Sequence, residues 1–235
     1  MRILITAGGT FEKIDDVRTI KNTSTGRLGQ LIAEAFDDVE IDYVYGKGSL
    51  LPKSNVNLYM IEDVRSLEKT MDHLLSNHEY DAIIHAMAIS DYEVYSVSTI
   101  QHLASLLSYK SEAEVYDILN ELPEDLNRYN KIRSDKNDLV VFMRKAPKII
   151  EMIKSYQNTY LVGFKLLVDV DENILLDEAK LLMERNDCDL VLANDATSIT
   201  GDHHVGYLVN RDLSYDIYHT KQDIAQAIKE KVMQL

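Results

Sequence analysis

The stretch that decides the fold lies near the start of the chain and reads Ile3-Leu4-Ile5-Thr6-Ala7-Gly8-Gly9-Thr10. Its first five residues form a short apolar run, which is typical of a buried β-strand. Glycines directly after a strand let the backbone approach a ligand closely, and their N–H groups can face phosphate oxygens. Because glycine-rich turns are common in α/β proteins, an ordinary tight turn explains this stretch equally well when it is taken alone.

The segment that follows ends in an amphipathic helix. Apolar residues recur there at helical spacing, namely Leu28, Leu31, Ile32, Ala35 and Phe36. Before them stands Asn22-Thr23-Ser24-Thr25-Gly26-Arg27-Leu28-Gly29, whose polar residues are typical of a helix N-cap. A helix N-terminus also binds anions, and open α/β sheets bind ligands at the carboxyl ends of their strands. We therefore expect the two loops to lie side by side in a phosphate-binding site.

Strand-like and helix-like stretches alternate along most of the chain. Apolar runs predict strands at 41–45, 56–61, 81–88, 139–142, 160–164 and 190–193, and a hairpin at 206–218. Helical spacing predicts helices at 64–75, after Pro147, at 173–185 and after Thr220. This pattern indicates an α/β protein with a three-layer Rossmann-like fold, in which helices cover both faces of a mostly parallel sheet. We expect one domain over 1–235, with a small β-hairpin or flap excursion at 93–138 that contains a helix near 111–119.

Composition restricts the possible partners. The 25 Lys and Arg residues against 39 Asp and Glu residues give a net charge of −14, which disfavours nucleic acid and anionic membranes as partners. A single cysteine, Cys188, excludes an internal disulfide and a cysteine-based zinc site. No signal-peptide pattern and no apolar run of about 18 residues occurs. We expect a cytoplasmic protein with no membrane partner.

Two further segments could carry chemistry. Asp91 follows the strand that ends near His85, where it could bind a ligand hydroxyl or a metal, or simply cap a turn. Residues 131–148 contain six basic side chains and two acidic ones, which is unusual in so acidic a chain. Such a run is either a solvated face or a basic flap that closes over phosphates.

Two other interpretations are weaker. His203 and His204 could suggest a metal site, but no Cys or acidic residue stands at a matching spacing, and we expect a polar turn there. A Rossmann oxidoreductase that binds NAD(P) is an alternative function. The first turn lacks the G-x-G-x-x-G pattern, about 15 residues separate it from the helix, and the second strand ends at Gly46 without the acid that binds a ribose hydroxyl.

Taken in order, these segments resemble the family of phosphopantothenoylcysteine synthetases, the ligases of coenzyme A biosynthesis. The chain is similar to the stand-alone bacterial form, which lacks the fused flavoprotein decarboxylase. The matching runs are residues 5–10, Ile14-Asp15-Asp16-Val17-Arg18, the Asn22-x-Ser24-x-Gly26-x-x-Gly29 pattern, 85–92, Lys131-Ile132-Arg133-Ser134, Lys145-Ala146-Pro147-Lys148-Ile149-Ile150, Val162-Gly163-Phe164-Lys165 and Ala193-Asn194-Asp195.

The resemblance implies a two-step reaction. The carboxylate of 4'-phosphopantothenate would attack the α-phosphate of CTP to give an acyl-cytidylate and pyrophosphate, and the amine of L-cysteine would then displace CMP. Mg²⁺ would accompany the triphosphate. The family also implies a homodimer and a functional link to a separate decarboxylase. A non-catalytic nucleotide-binding partner of that decarboxylase is a further alternative.

The resemblance also implies roles for individual residues. Asn22 would hold the acyl group and Lys131 would steady phosphate charge, so both are candidate catalytic residues. Arg18, Ala86 and Met87 would join Asn22 in binding the substrate. No side chain is expected to bind a metal by itself. The implied nucleotide-binding residues are Gly8, Gly9, Thr10, Ser24, Gly26, Asp91, Lys131, Ala146, Pro147, Lys148, Ile149, Phe164, Lys180 and Arg185.

Three features depart from the family pattern. The run Gly163-Phe164-Lys165-Leu166-Leu167 contains the Phe-Lys-Leu of ATP-using eukaryotic relatives, which leaves ATP open beside CTP. Leu182 and Asn186 stand where the family has two lysines, so Lys180 and Arg185 are the candidates to replace them. The segment at 93–130 is longer than in the fused forms, which leaves the position of the flap open.

Overall fold

The computed structural model describes residues 1–122, 126 and 130–235. Its strands are β1 (Arg2–Ala7), β2 (Phe11–Lys13), β3 (Thr19–Lys21), β4 (Glu40–Gly46), β5 (Asn57–Ile61), β6 (Ala82–His85), β7 (Tyr92–Ser98), β8 (Val140–Lys145), β9 (Tyr160–Leu167), β10 (Leu190–Thr200), β11 (His203–Asn210) and β12 (Tyr215–Thr220). Its helices are α1 (Arg27–Ala35), α2 (Val64–Asn77), α3 (Ile100–Leu107), α4 (Glu112–Asn120), α5 (Ile149–Tyr156), α6 (Glu172–Asn186) and α7 (Lys221–Val232).

An eight-stranded sheet forms the centre of the described structure. Its spatial order is β12-β11-β10-β9-β6-β1-β4-β5. The pairs from β10 through β5 are parallel, and β11 and β12 add an antiparallel hairpin at one edge. The predicted mostly parallel sheet and the predicted C-terminal hairpin are therefore both confirmed.

Helices cover both faces of this sheet, as predicted. Successive side chains of a strand point to opposite faces, and β1 illustrates this because Ile3 and Ile5 pack in one core cluster and Leu4 in the other. The cluster that contains Ile3 is completed by α1 and α7, and the other by α2, α5 and α6. Helix α7 begins after Thr220, whose side chain accepts a hydrogen bond from the Asp223 N–H, as the sequence pattern predicts.

Two structural units lie outside the main sheet. A short hairpin of β2 and β3 fills the interval between the glycine turn and α1, and the sequence pattern did not predict it. Strands β7 and β8 pair antiparallel in a separate two-stranded sheet, so 139–142 is a strand as predicted but not part of the main sheet. Helices α3 and α4 lie between them. The predicted excursion at 93–138 also includes residues 123–125 and 127–129, which lie outside the described residues.

The predicted helix near 111–119 is confirmed, and it begins with a capping box. Ser111 accepts a hydrogen bond from the Glu114 N–H, while the Glu114 side chain accepts one from the Ser111 N–H, and the helix runs from Glu112 to Asn120. This reciprocal capping box satisfies N–H groups that a helix N-terminus leaves without partners. Across the part of the chain that the structure describes, no helix is both long and apolar enough to cross a membrane.

Candidate nucleotide-binding site

The two glycine-containing loops lie side by side at the carboxyl end of β1, as predicted. A Cβ atom added to Gly9 would lie 3.0 Å from the Asn22 carbonyl oxygen and 3.6 Å from the Ser24 Cβ. One added to Gly26 would lie 3.1 Å from the Gly8 nitrogen. Gly8 and Gly26 have φ angles of +81° and +74°, which strongly favour glycine. The glycines therefore permit close contact between the two backbone segments.

The start of α1 forms one wall of a cavity. Its N-cap residue, Gly26, has no side chain, and of the first N–H groups of the helix that of Arg27 donates to the Thr25 side-chain oxygen at 3.3 Å. Residues 23–29 line the cavity, so the helix N-terminus is presented to it. An uncapped helix N-terminus carries free N–H donors and a partial positive charge, and both favour an anionic group.

The cavity has a volume of about 570 Å³, within the usual range for small-molecule sites. It lies at the carboxyl ends of β1, β6, β9 and β10, on the sheet face that α1 and α7 cover. Its lining beyond residues 23–29 consists of Leu50, Ala86, Met87, Ala88, Phe164, Leu166, Asn194, Ile199, Gly201, His204 and Lys221. It thus brings together five predicted site residues, namely Ser24, Gly26, Ala86, Met87 and Phe164.

Thr10 ties the glycine loop to the end of β6. Its N–H donates to the Ala88 carbonyl oxygen at 3.1 Å, and its side-chain oxygen accepts from the Ser90 N–H at 2.9 Å. The Ala88 N–H donates in turn to the Gly8 carbonyl oxygen at 2.8 Å. These bonds fix the two strand ends against each other beside the cavity, whose lining does not include Gly8, Gly9 or Thr10.

A second group of predicted residues meets at the start of α5. The Ala146 N–H donates to the Asp91 carbonyl oxygen at 2.9 Å, and the Lys148 ammonium pairs with the Asp91 carboxylate. Pro147 lies between them in sequence, and Ile149 is buried in the core. These predicted nucleotide-binding residues are neighbours, but none of them lines the cavity described above.

Arg18 is held close to the predicted flap lysine by a buried carboxylate. Asp15 forms a 2.7 Å ion pair with Arg18 and accepts hydrogen bonds from the N–H groups of Val17, Arg18 and Ile132 at 2.8, 2.7 and 3.0 Å. Burial alone would raise the pKa of Asp15, but these backbone bonds and the Arg18 side chain lower it to about 2. Lys131, directly before Ile132, is exposed to solvent.

The remaining predicted residues occupy different places. Asn22 follows β3, where its N–H donates to the Thr10 carbonyl oxygen at 3.4 Å. Lys180 lies 3.9 Å from Glu184 within α6, and Arg185 is exposed on the same helix. The structure places neither Lys180 nor Arg185 in the lining of the cavity.

His204 corrects one prediction. The pair at 203–204 belongs to β11 rather than to a polar turn, and His204 is only 4 % exposed. Among the cavity-lining residues that were not predicted site residues are Asn194, His204 and Lys221. A signal was present for His204, since it stands two residues before Gly206 and four before Leu208. Residues at that spacing share one face of a strand, and Gly206 and Leu208 face the core.

The described side chains do not form a metal cage of their own. Within residues 1–122, 126 and 130–235, no three His, Cys, Asp or Glu residues are grouped so that they could hold a metal ion. Cys188 is buried, and burial raises the pKa of its thiol to about 12. Mg²⁺ commonly binds through one or two carboxylates and the phosphates of a substrate, so this donor set is compatible with a metal that arrives with a nucleotide.

The protein is an α/β sheet with a glycine-lined cavity at the carboxyl ends of its strands, which is where open α/β sheets bind ligands. Sequence comparison identifies the family. The family described as "DNA/pantothenate metabolism flavoprotein C-terminal domain" matches residues 1–127 and 122–235, so the chain belongs to this family. The resemblance found in the sequence is thereby confirmed at the level of the family.

Individual relatives agree with this assignment. The coenzyme A biosynthesis bifunctional protein CoaBC of Thermococcus kodakarensis is 30% identical over 98% of this chain and 50% of its own length. The CoaBC protein of Methanocaldococcus jannaschii is 26% identical over 100% of this chain and 51% of its own length. The chain therefore spans about half the length of these curated relatives. The crystal structure of the DNA/pantothenate metabolism flavoprotein from Streptococcus pneumoniae is 33% identical, with a TM-score of 0.85 and coverage of 100% and 99%.

Proposed function

We propose that this chain is a phosphopantothenate–cysteine ligase that activates its acid substrate with a nucleoside triphosphate. The observation that carries the proposal is the cavity at the carboxyl ends of β6, β9 and β10, which is lined by the glycine-containing loop at 23–29 and the start of α1. Membership of the family supports the same activity, and so do the relatives that are named as coenzyme A biosynthesis proteins.

The chemistry requires such a site. In the first step, a carboxylate oxygen of 4'-phosphopantothenate forms a bond to the α-phosphorus, and the bond from that phosphorus to the bridging oxygen breaks to release pyrophosphate. In the second step, the cysteine nitrogen bonds to the acyl carbon, and the nucleoside monophosphate leaves with the electrons of the acyl–oxygen bond, while the amine loses a proton. Charge on phosphate oxygens is stabilised by preorganised N–H donors and basic groups in each step.

Within this proposal, the phosphates of the nucleoside triphosphate lie along the wall that Ser24 and Gly26 form, with Gly8, Gly9 and Thr10 beside them. Phe164 contributes to the same cavity. We propose that the segment Ala146–Ile149 recognises the base and that Asp91 binds the ribose. We infer CTP as the nucleotide, with ATP as the alternative. Mg²⁺ would be held chiefly by the phosphate oxygens and would offset their charge.

The acyl end of the reaction is assigned to a further set of residues. Ala86 and Met87 line the same cavity as Ser24 and Gly26, and we propose that they contact the substrate while Asn22 holds the acyl group. Arg18 and Lys131, joined through Asp15 and Ile132, would bring positive charge to this side. Lys180 and Arg185 lie on α6 outside the cavity lining, and their proposed contact with the nucleotide needs a separate test.

The wider setting follows from the same relatives. We propose a single domain over 1–235 that acts in the cytoplasm as a homodimer, with a functional link to a phosphopantothenoylcysteine decarboxylase. The bifunctional relatives, which are about twice as long as this chain, support the link.

Pyrophosphate release tests the proposal. The protein is mixed with phosphopantothenate, cysteine, Mg²⁺ and each of CTP, ATP, GTP and UTP, and the four rates rank the nucleotides. No release with any of them would refute the ligase. Tight NADPH binding without release would favour the oxidoreductase, and CTP binding without release would favour the non-catalytic module.

The Asn22→Ala variant separates the two steps. We expect it to release pyrophosphate once and then to accumulate the acyl-nucleotide, since Asn22 is proposed to act on the acyl group. Asn173→Ala on the exposed start of α6 is the matched control and should leave both steps unchanged. Full product formation by Asn22→Ala would contradict the role assigned to Asn22.

A further inference from the structure

His204 is a buried imidazole whose ring nitrogens have no partner in the described part of the protein. Its side chain is 4 % exposed, and neither Nδ1 nor Nε2 has a hydrogen-bond partner there. Polar groups that are buried without a partner destabilise a fold and are rare in native structures. Because His204 lines the cavity, a bound ligand could supply the missing partner.

The surroundings of His204 select an anionic ligand. Lys221, at the start of α7, lines the same wall, and its ammonium donates to the Gly201 carbonyl oxygen. The start of α1, with Arg27, lies on another wall of the cavity. Next to His204 in β11, the exposed His203 stacks on His219 at 6.5 Å between ring centroids. Burial first, and then the charges of Lys221 and His203, lower the pKa of His204 to about 4, so the ring is neutral at pH 7 and carries one N–H donor.

Other ligand classes fit this wall poorly. A cationic amine would be repelled by Lys221 and by the partial positive charge of the helix N-terminus. A metal ion would need further ligands, and His204 belongs to no group of three His, Cys, Asp or Glu residues within the described chain that could hold one. Phosphate oxygens accept hydrogen bonds from both neutral imidazoles and ammonium groups.

We propose that His204 binds the terminal phosphates of the nucleoside triphosphate and so recognises the pyrophosphate that leaves in the first step. This inference deepens the proposed function and rests on it for the identity of the substrate. The α-phosphate must meet the acyl substrate near Asn22, beside Gly9. His204 enters from β11, among Ile199, Gly201 and Lys221, so the terminal phosphates would extend toward it.

Calorimetric titration with CTP, CMP and inorganic pyrophosphate tests this role. His204→Leu removes both nitrogens and should weaken CTP and pyrophosphate binding roughly ten- to one-hundred-fold, which is the usual effect of losing a hydrogen bond to a charged group. CMP binding should change less than about threefold, because CMP lacks the terminal phosphates. His204→Gln keeps a donor near Nε2 and should recover part of the affinity. The matched control is His203→Gln, which changes the exposed neighbour and should bind all three ligands like the wild type.

Thermal unfolding shows whether a loss of affinity reflects damage to the fold. Since the imidazole is buried without a partner, His204→Leu should unfold at the same temperature as the wild type or at a higher one, although it binds CTP less well. Wild-type affinity of His204→Leu for CTP and pyrophosphate would overturn the inference, as would an equal loss for CMP. Failure of the wild type to bind pyrophosphate would overturn it too.

A separate assay tests the parent proposal. Exchange of labelled pyrophosphate into CTP, measured with phosphopantothenate and without cysteine, reports the first step. Its absence in a wild type that binds CTP and pyrophosphate would refute the ligase while leaving His204 as a phosphate ligand. Its presence, with undiminished pyrophosphate affinity in His204→Leu, would retain the ligase and reject the role of His204.

Discussion

Asp15 offers the sharpest test of how the site is assembled, because one buried carboxylate joins the β2–β3 hairpin to the segment that contains Lys131. Its Oδ1 accepts from the N–H groups of Val17 and Arg18, and its Oδ2 accepts from the Ile132 N–H and from the Arg18 side chain. Asp15→Asn keeps one oxygen and replaces the other with an NH₂ group, which would face donors instead of accepting from them.

The expected cost follows from the bonds that are lost. The Ile132 N–H, which belongs to a buried residue, would have no acceptor, which typically costs about 1–3 kcal/mol. The Arg18 side chain is 40 % exposed and can bond water, so losing its ion pair with Asp15 costs at most about 1 kcal/mol. A total of about 1–4 kcal/mol should appear as local opening of the segment around Ile132, with a smaller effect on global unfolding.

Hydrogen exchange measures this opening directly. The Ile132 amide should exchange roughly five- to several-hundred-fold faster in Asp15→Asn, because each 1.4 kcal/mol is a factor of ten. Pyrophosphate exchange should slow in parallel, since Lys131 would lose its fixed position. Asp16→Asn is the matched control, because the neighbouring Asp16 is exposed and should leave both rates unchanged. An unchanged exchange rate of the Ile132 amide in Asp15→Asn would refute the role of Asp15 in holding this segment against the β2–β3 hairpin.

The Asp15 carboxylate also makes the stability of the fold depend on pH. The folded-state pKa of Asp15 is about 2, below its ordinary value of 3.8. Its contribution to stability is therefore complete above about pH 4 and is lost as the pH falls toward 2. Denaturation curves of the wild type should show this loss, and Asp15→Asn should lack that part of the acid destabilisation. An identical acid profile for the two proteins would contradict the assignment.

Three further predictions concern other parts of the site and the core. Gly46→Ala would place a carbon 2.1 Å from a backbone oxygen of the glycine loop, so denaturant unfolding and CTP titration should both show losses. Gly48→Ala, where no atom lies within 4 Å, should cost only the roughly 1–2 kcal/mol of its left-handed backbone and spare CTP binding. Lys148→Met breaks an exposed ion pair with Asp91, so it should change stability by less than about 1 kcal/mol while raising the KM for CTP. Cys188 should resist a thiol reagent at pH 8 in the native protein and react fully in denaturant, because burial raises the pKa of its thiol to about 12.

The main sheet could be predicted because its strands are buried on both faces. Ala82, Ile83 and Ile84 are consecutive and fully buried, as are Leu190 to Ala193. Such runs have no polar alternation and identify parallel strands between helices. The smaller strands gave no comparable signal. Strand β7 pairs only with β8, more than forty residues further along the chain, so its partner is not visible locally.

The site was predictable where the sequence motif and the backbone requirement coincide. Gly8 and Gly26 have positive φ angles, which favour glycine. The backbone requirement is therefore visible in the sequence as a glycine in each loop. The alternation of His204, Gly206 and Leu208 indicates the buried face of β11, but it does not indicate that His204 lines a cavity. Strand β10 continues to Thr200 with a register shift between Asn194 and Ile199, and Ile199 pairs with His204 beyond that shift. A register that shifts within a strand is fixed by tertiary packing rather than by a local pattern.

Gly46 gives the absence of a dinucleotide fingerprint a physical cause. In a dinucleotide-binding fold, an acidic residue near the end of the second parallel strand binds the ribose. Here that strand, β4, ends at Gly46, and any side chain on it would meet the backbone of Gly9 at 2.1–3.0 Å. Ser49 approaches Gly8 equally closely, since a Cβ on Gly8 would lie 1.8 Å from its hydroxyl oxygen. The space that an adenosine ribose would need beside β4 is therefore filled by the chain itself. The cavity lies on the side of β6, β9 and β10, so the proposed nucleotide would extend toward Phe164 and away from β4.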